Sequence, residues 1–343
     1  MKRIAMALAG FVLAVFLALS AVFYLSTYHP EDVQEEPVVC PADAPVLEPG
    51  QTVKVLSWNV QFMAGNQNNH FFFDGGKDPW PSRETIDAVI QKVADVICDE
   101  NPDIILLQEV DDGAERTFHD DQLKRLLEKL PKDYACRSSA FYWKAAFVPH
   151  PSIMGSVGMK LSIVSRYKIE KTFRHALSPI PADSFIVRHL KPKRAAHEAL
   201  MPVKGGAPLH VINVHLTAFA QGTDVRKRQT AQVTGILDAV EKRGRAGFAA
   251  GDFNLTPPPG SDIQPLFDAF HAVPSLENLG SDDNEKWLTH MATREKIKVP
   301  DKTIDYMFFT RNISVGRTHV RRKDALDVSD HLPVTAFFEV PGG

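Results

Sequence analysis

The first apolar segment of the chain runs from Ile4 to Leu25, 22 residues without a charge. As a helix with a rise of about 1.5 Å per residue it would extend about 33 Å, enough to cross a hydrocarbon core of about 30 Å. Lys2 and Arg3 precede it, which orients the amino terminus toward the cytoplasm and the rest of the chain outward. We expect residues 1–28 to be a transmembrane signal-anchor. The alternative is a signal peptide cleaved after the small residues near Ser20, which would release a secreted protein.

Residues 29–50 are rich in proline and acidic residues and show no apolar period. This composition predicts an extended tether rather than a folded element. We therefore expect the folded domain to cover residues 51–343.

From Val53 onward, short apolar runs typical of β-strands alternate along the chain with segments of helical periodicity. Many strands with few helices between them predict an α/β fold of two sheets packed face to face with helices outside. The predicted strands are Val53–Val60, Asp103–Val110, Lys160–Ser165, Leu209–Leu216, Gly247–Asp252, Thr303–Phe309, Ile313–Val320 and Pro333–Val340, and the predicted helices are Ile86–Ile97, Asp121–Leu130, Val225–Lys242 and Gln264–Phe270.

The composition is that of a folded globular protein, with 44% hydrophobic and 24% charged residues. The net charge of −3 neither recruits polyanions nor repels them strongly. The three cysteines lack metal-ligand spacing, so any metal must be held by oxygen or imidazole. In an exported domain Cys98 and Cys136 could pair as a disulfide, which would leave Cys40 unpaired.

Polar residues stand at the ends of several otherwise apolar strands. Each alone could cap a turn or be a hydrogen-bonded core residue. Together they would leave carboxylates unpaired at the ends of buried strands, at a cost of several kcal/mol each, and a divalent cation removes that cost. The residues are Asn59, Glu109, His215, Asp252, Asn254, Asp305, Asp330 and His331.

Such an oxygen-rich set favours Mg²⁺, for which Mn²⁺ can substitute, with Glu109 as the first ligand candidate. Phosphodiester hydrolysis further requires an acceptor for the proton of water and donors aimed at the phosphoryl oxygens. Asp252 can accept the proton. Asn254, His215 and His331 can act as donors, and Asp305 can orient His331 and raise its pKa.

Six short blocks carry a family resemblance. This ordered set resembles the endonuclease/exonuclease/phosphatase superfamily, which includes deoxyribonucleases, apurinic endonucleases and neutral sphingomyelinases. The resemblance spans Val53 to Val340 and implies a four-layer α-β-β-α sandwich of two mixed sheets, and Mg²⁺-dependent cleavage of a P–O bond. The blocks are Trp58-Asn59, Gln108-Glu109, Asn213-Val214-His215-Leu216, Gly251-Asp252-Phe253-Asn254, Ile304-Asp305-Tyr306 and Ser329-Asp330-His331.

The resemblance also implies a role for each matched residue. Asp252 matches the water-orienting base, but in the sphingomyelinase branch the histidine matching His331 is often proposed as the base, so both assignments stay open. The other implied roles are metal contacts for Asn59, Glu109 and Asp330, phosphate contacts for His215 and Asn254, and a partner for His331 in Asp305.

Three features bear on the substrate. Two aromatic groups either fill satellite cores or line an apolar pocket or membrane interface. Three basic clusters are either solvated surface or a groove that tracks phosphates. The aromatic groups are Asn68–Phe73 with Trp80, and Phe141–Trp143 with Phe147; the basic clusters are Arg188–Arg194, Arg226–Arg228 and Arg321–Lys323.

An anchor beside an aromatic rim favours a phospholipid or sphingolipid phosphodiester, because the tether raises the effective concentration of a membrane substrate. We therefore predict a membrane-bound hydrolase of ester bonds whose catalytic domain lies outside the cytoplasm. The alternative substrate is nucleic acid, cleaved by an exported or tethered nuclease. A non-catalytic membrane scaffold is a third hypothesis, and it would require that an essential residue be missing, which none is.

Overall fold

The computed structural model describes residues 2–66, 79–181, 184–218, 220, 222–291 and 299–342. Within these residues the chain forms two mixed seven-stranded sheets that pack face to face, with helices around them. This architecture confirms the predicted α/β sandwich. The helices are α1 (Lys2–Ser26), α2 (Arg83–Glu100), α3 (Gln122–Leu127), α4 (Phe185–Leu190), α5 (Val225–Lys242), α6 (Gln264–Ala269) and α7 (Leu276–Gly280).

The first sheet has the strand order β13-β14-β3-β4-β6-β5-β2, and the second has the order β1-β7-β8-β9-β10-β12-β11. The strands are β1 (Val33–Glu36), β2 (Val38–Val39), β3 (Thr52–Asn59), β4 (Ile104–Asp111), β5 (Cys136–Val148), β6 (Gly155–Ser165), β7 (Lys171–Ala176), β8 (Ala195–Met201), β9 (Leu209–His215), β10 (Gly247–Asp252), β11 (His271–Val273), β12 (Asp305–Phe309), β13 (Ser314–Val320) and β14 (Val334–Glu339).

The main core lies between the two sheets. Phe248 of β10 packs against Phe338 of β14 with ring centroids 5.4 Å apart, so aromatic side chains of both sheets meet there. Helix α2 places Ile86, Val89 and Ile90 against the outer face of the first sheet. Helices α5 and α6 cover the second sheet with a separate apolar cluster. Helices therefore lie on both outer faces, as the four-layer prediction requires.

The eight predicted strands and four predicted helices all form, with small differences at their ends. The helix expected over Asp121–Leu130 is the shorter α3. The side chain of Asp121 caps its amino terminus by accepting from the Lys124 N–H, so the helix begins one residue later than expected. Strand β5 was missed by the apolar pattern, although it is the longest of the described strands. Near its carboxyl end, over residues 144–148, buried and exposed positions no longer alternate regularly, which removes the period-2 signal.

Residues 29–50 do not form the predicted tether. Strand β1 pairs with β7 and β2 pairs with β5, so this segment adds an edge strand to each sheet. Leu47 is fully buried in the main core. The prediction was wrong because an edge strand is stabilised by backbone groups of a distant neighbour, which local composition does not reveal.

The disulfide expectation also needs correction. Cys40 is bonded to Cys136, while Cys98 is free and exposed on α2. The pairing follows from the strand register, since Val39 of β2 lies opposite Arg137 of β5 and the next pair of positions holds the two cysteines. Because β2 was not expected as a strand, the sequence offered no means of placing Cys40 beside Cys136.

We expect loss of the Cys40–Cys136 disulfide to lower the stability of the domain. The bond joins residues 96 positions apart, and closing a loop of that size stabilises a fold by about 2 to 5 kcal/mol. Cys40→Ser should therefore lower the melting temperature measured by circular dichroism under oxidising conditions. Cys98→Ser is the matched control and should leave it unchanged. Equal melting temperatures for wild type and Cys40→Ser would contradict this prediction.

Candidate active site

The polar strand-end residues from both sheets meet in one group. Strands β3 and β4 of the first sheet supply Asn59 and Glu109, and β9 and β10 of the second supply His215 and Asp252. Buried amides fix the relative position of the two sheets here: Gln108 Nε2 donates to Asn213 Oδ1 at 2.7 Å. The remaining members of the group are Asn254, Asp305, Asp330 and His331.

A bulge in β4 directs Glu109 into this group. The register between β4 and β6 shifts between Leu107 and Val110, and Glu109 has a φ of 58°, in the left-handed region. This conformation costs about 1–2 kcal/mol for a side chain with a Cβ. The bulge buries Gln108 and Val110 while the Glu109 side chain stays 20% exposed. Glu109 is therefore more accessible to solvent and ligands than Asp252 and Asp305, whose side chains are 2% and 4% exposed.

Asn59 bridges the carboxylates of the two sheets. Its Nδ2 donates to Glu109 Oε1 at 3.2 Å and to Asp252 Oδ2 at 3.1 Å. Its Oδ1 accepts from the backbone N–H of Gln61 at 3.0 Å. This orientation differs from the expected metal contact, because the amide oxygen is engaged with the backbone. The contacts make Asn59 a residue that holds Glu109 beside Asp252.

Asp252 lies at the centre of the group. It accepts from the Asn254 backbone N–H at 2.9 Å and from Asn254 Nδ2 at 3.2 Å, and His215 Nε2 lies 3.3 Å from its Oδ2. Burial raises the pKa of Asp252 to about 7, although the nearby charge of His331 lowers it. Asn254 also donates to the Leu216 carbonyl, so its amide orients Asp252 instead of pointing freely to a phosphate.

Gly251 allows the backbone approach that places Asp252 beside His215. Its φ is 146°, and a Cβ at this position would lie 2.0 Å from the Val214 carbonyl oxygen of β9. The parallel register then sets Asp252 directly opposite His215. A glycine is needed at this position because any side chain would push β10 away from β9.

His331 forms an ion pair with Asp305. Its Nδ1 lies 2.9 Å from Asp305 Oδ2, and its Nε2 lies 3.7 Å from Asp252 Oδ2. Burial would lower the pKa of His331, but Asp305 and Asp252 raise it well above its usual range. His331 is thus held as an imidazolium between two carboxylates, with Asp305 orienting the ring as expected.

His215 has the opposite character. Burial, together with the charges of Arg194 and His331, lowers its pKa well below the usual value, so the ring is neutral. Its Nε2 faces Asp252 and, at 3.9 Å, Glu109. Its Nδ1 is buried without a hydrogen-bond partner among the described residues. The site therefore contains one neutral and one cationic histidine.

Two further residues of the site were not singled out in the sequence. The Tyr142 ring lies edge-on to His215 at 5.5 Å, and the Arg194 guanidinium lies 5.1 Å from the centroid of the Tyr142 ring. Within the described part of the chain, Tyr142 Oη and Arg194 Nη1 are buried and lack hydrogen-bond partners. Buried donors without partners beside an acidic group are suited to an oxyanion. The sequence held both residues within larger aromatic and basic runs, where nothing distinguished them.

The basic clusters do not share one environment. Arg226 donates to the Asn254 carbonyl at 3.3 Å and so reaches the catalytic end, as Arg194 does. Arg321 instead pairs with Asp99 at 2.6 Å and with Glu100 at 3.0 Å, near the end of α2. Of the aromatic groups, Asn68–Phe73 lies outside the described residues.

The donor set fits a divalent cation. Asp252, Asp305 and His331 offer ligand atoms within 4.8 Å of one another, and so do His290, Asp330 and His331. Carboxylate oxygens are the ligands that Mg²⁺ prefers, and a cation relieves the crowding of carboxylates. His331 is protonated here, so the carboxylates of these groups, rather than its ring, are the ligands open to a cation. His290 was not among the predicted residues; its ring lies edge-on to His331 at 4.9 Å.

Solved structures with the same fold share much of this architecture. The endonuclease/exonuclease/phosphatase from Beutenbergia cavernae DSM 12333 is 23% identical, with a TM-score of 0.59 over 85% of this chain and 72% of its own. The human nocturnin catalytic domain with bound sulfate is 18% identical, with a TM-score of 0.51 and coverages of 89% and 96%. ANGEL2, a 2',3'-cyclic phosphatase, is 14% identical, with a TM-score of 0.55 and coverages of 84% and 96%.

A comparison with curated proteins gave no significant match. The model of the Endonuclease/Exonuclease/phosphatase family matches residues 56–331, from the middle of β3 to His331. This span contains the whole group of strand-end residues described above. The chain therefore belongs to the Endonuclease/Exonuclease/phosphatase family.

Proposed function

We propose that this protein is a membrane-tethered, metal-dependent phosphodiesterase that acts on a phospholipid or sphingolipid. Family membership supports a hydrolase acting on phosphodiester bonds. The observation that carries the proposal is the meeting of Glu109, Asp252 and the His331–Asp305 pair around one point of the fold. Carboxylates, an imidazolium and unpaired donors at one point are what phosphoryl transfer requires.

We assign Glu109 as the residue that would hold Mg²⁺ or Mn²⁺, with the Asn59 amide fixing its carboxylate, and Asp330 as a second or alternative contact for the cation. When bound, the cation supplies positive charge that polarises the phosphoryl group. The other steps fall to the side chains of this protein.

Asp252 is the better candidate for the base. Its pKa of about 7 lets its carboxylate accept a proton from water at neutral pH. His331 is already protonated, because Asp305 and Asp252 hold its pKa high, so it enters the reaction as a donor. The neutral His215 and the unpaired donors of Tyr142 and Arg194 would then face the oxygens on which charge develops.

Helix α1 supports the lipid assignment. It is the described helix that is long and apolar enough to cross a membrane, by length and composition. A domain held at the bilayer meets lipid headgroups at high effective concentration. The disulfide supports a location outside the cytoplasm, since disulfides persist in oxidising compartments.

A nuclease is the second candidate, and a specific observation favours it. Arg194 and Arg226 both reach the catalytic end of the domain, where they could contact successive phosphates of a strand.

We expect the full-length protein in detergent micelles to hydrolyse bis(p-nitrophenyl) phosphate with Mg²⁺ or Mn²⁺ and to stop when EDTA is added. The assay follows release of nitrophenolate at saturating metal. Turnover that persists in EDTA would contradict the cation assignment. In the same preparation, release of phosphocholine from sphingomyelin vesicles supports the lipid substrate, and degradation of plasmid DNA without phosphocholine release supports the nuclease.

Substitution of the two central carboxylates should remove most of the activity. We expect Glu109→Ala and Asp252→Ala to lower kcat by about 10² or more, since each removes a group that acts in the transition state. Circular dichroism checks that the fold survives. Lys204→Ala, which removes an exposed pair with Glu48, is the control and should leave kcat unchanged. A near-normal rate for Asp252→Asn would transfer the base role to His331.

Metal binding should release a proton from Asp252. With a pKa of about 7 this carboxyl is protonated below neutral pH and ionised above it, and a cation favours the ionised form. We therefore expect Mg²⁺ affinity to rise as the pH increases through 7. Calorimetry at pH 7 in buffers of different ionisation enthalpy should show release of about half a proton per ion from this group. Undiminished release from Asp252→Asn would contradict the assignment.

A further inference from the structure

Helix α4 exposes three consecutive apolar residues, which spread over about half of its circumference and form a wide apolar face. Phe185, Ile186 and Val187 are 68%, 59% and 38% exposed. From Phe185 to Arg194 the sequence has four lysine or arginine residues, one histidine and no acidic residue. A short soluble helix normally turns its apolar side chains toward the core. Exposed apolar side chains beside basic ones are typical of segments that lie in a membrane interface.

The face lies beside the end of α1. The His189 ring of α4 lies beside two phenylalanine rings. The ring centroids are 4.2 Å apart for Phe185 on the same helix and 5.9 Å apart for Phe23 of α1. Phe23 belongs to the last turn of α1, where a spanning helix leaves the hydrocarbon. Tyr24 and Tyr28 at this end are residues of the kind that prefer membrane interfaces.

Buried contacts hold α4 in this position. Arg174 donates from Nε to the Phe141 carbonyl at 2.9 Å and from Nη2 to the Lys193 carbonyl at 2.7 Å. The Trp143 indole donates to the Leu190 carbonyl at 2.7 Å. The chain on the carboxyl side of α4 is therefore tied to β5 at several points, and the exposed face is presented in one orientation.

The same strand leads from α1 to the catalytic group. Thr27, directly after α1, forms a bridge with Ala145 of β5, and Tyr142 lies three residues along that strand against His215. Three residues of a strand span about 10 Å. The catalytic group thus lies a short distance along β5 from the end of α1.

We infer that α4 and the end of α1 form one bilayer-contact surface that turns the catalytic group toward the membrane. Phe185, Ile186 and Val187 enter the interface of the leaflet that α1 leaves, and the net positive charge of residues 185–194 favours its anionic headgroups. The occupant of this surface is lipid because α1, whose described residues have no buried member, continues it directly. The surface rests on the membrane tether of the proposed function, and the delivery of lipid substrate rests on its lipid substrate, but contact with lipid does not require catalysis.

Depth measurements test the surface without an activity assay. In a Cys98→Ser background, the full-length protein carries a nitroxide on Ile186→Cys and is reconstituted into phosphatidylcholine vesicles containing phosphatidylserine. We expect molecular oxygen, which concentrates in the bilayer, to enhance the spin relaxation of the label more than a water-soluble nickel complex does. Leu276→Cys on α7 is the control: it is also exposed, but α7 follows β11, at the edge of the second sheet opposite β1. Its label should show the reverse preference.

An equal preference for the nickel complex at both positions would overturn the inference. Spin–spin broadening at 186 that disappears on dilution with unlabelled protein would also overturn it and identify a second copy as the occupant. The double variant Phe185→Ser, Ile186→Ser should lower hydrolysis of vesicle lipid by about tenfold or more while leaving hydrolysis of bis(p-nitrophenyl) phosphate unchanged. Inactivity of the wild type on that soluble diester would count against the proposed function alone, because the depth profile does not depend on catalysis.

Discussion

The catalytic arrangement depends on one buried contact between the sheets, the amide bridge from Gln108 of β4 to Asn213 of β9. Both side chains are fully buried, and Asn213 Nδ2 also donates to the Leu107 carbonyl at 2.9 Å. Buried amides are costly unless paired, so these bonds favour one relative position of the two sheets. Glu109 follows Gln108 directly and His215 lies two residues after Asn213. Any shift between the sheets would therefore separate the residues that meet at Asp252.

Electrostatics then give similar residues different tasks. Asp252 and Asp305 are both buried carboxylates. Asp305 pairs with His331 at 2.9 Å, whereas burial and the charge of Asp305 raise the pKa of Asp252. The environment raises the pKa of His331, which is therefore protonated, and lowers the pKa of His215, which is therefore neutral. The surroundings thus push the pKa values of two residue types apart, and the proposed roles of base, cationic donor and neutral donor rest on that difference.

The sequence predicted which residues form the site better than it predicted what each of them contacts. The strand-end rule gathers Glu109, Asp252 and His331, because a strand end is a local feature that the apolar pattern reveals. The amides of Asn59 and Asn254 were expected to face metal and phosphate, yet both donate to carboxylates. Rings and guanidinium groups such as Tyr142 and Arg194 are too common in sequence to indicate a site, and burial without a partner distinguishes them only after folding.

The sequence by itself determined the apolar first helix, the order of the main strands and helices, the two-sheet sandwich and the residues at the strand ends. All of these follow from periodicity within a few residues and from short motifs. Only the tertiary structure decided that residues 33–39 complete both sheets, that Cys40 pairs with Cys136, and that α4 lies beside α1. These features join segments far apart in the chain, and their free energy comes from partners that no local window of sequence contains.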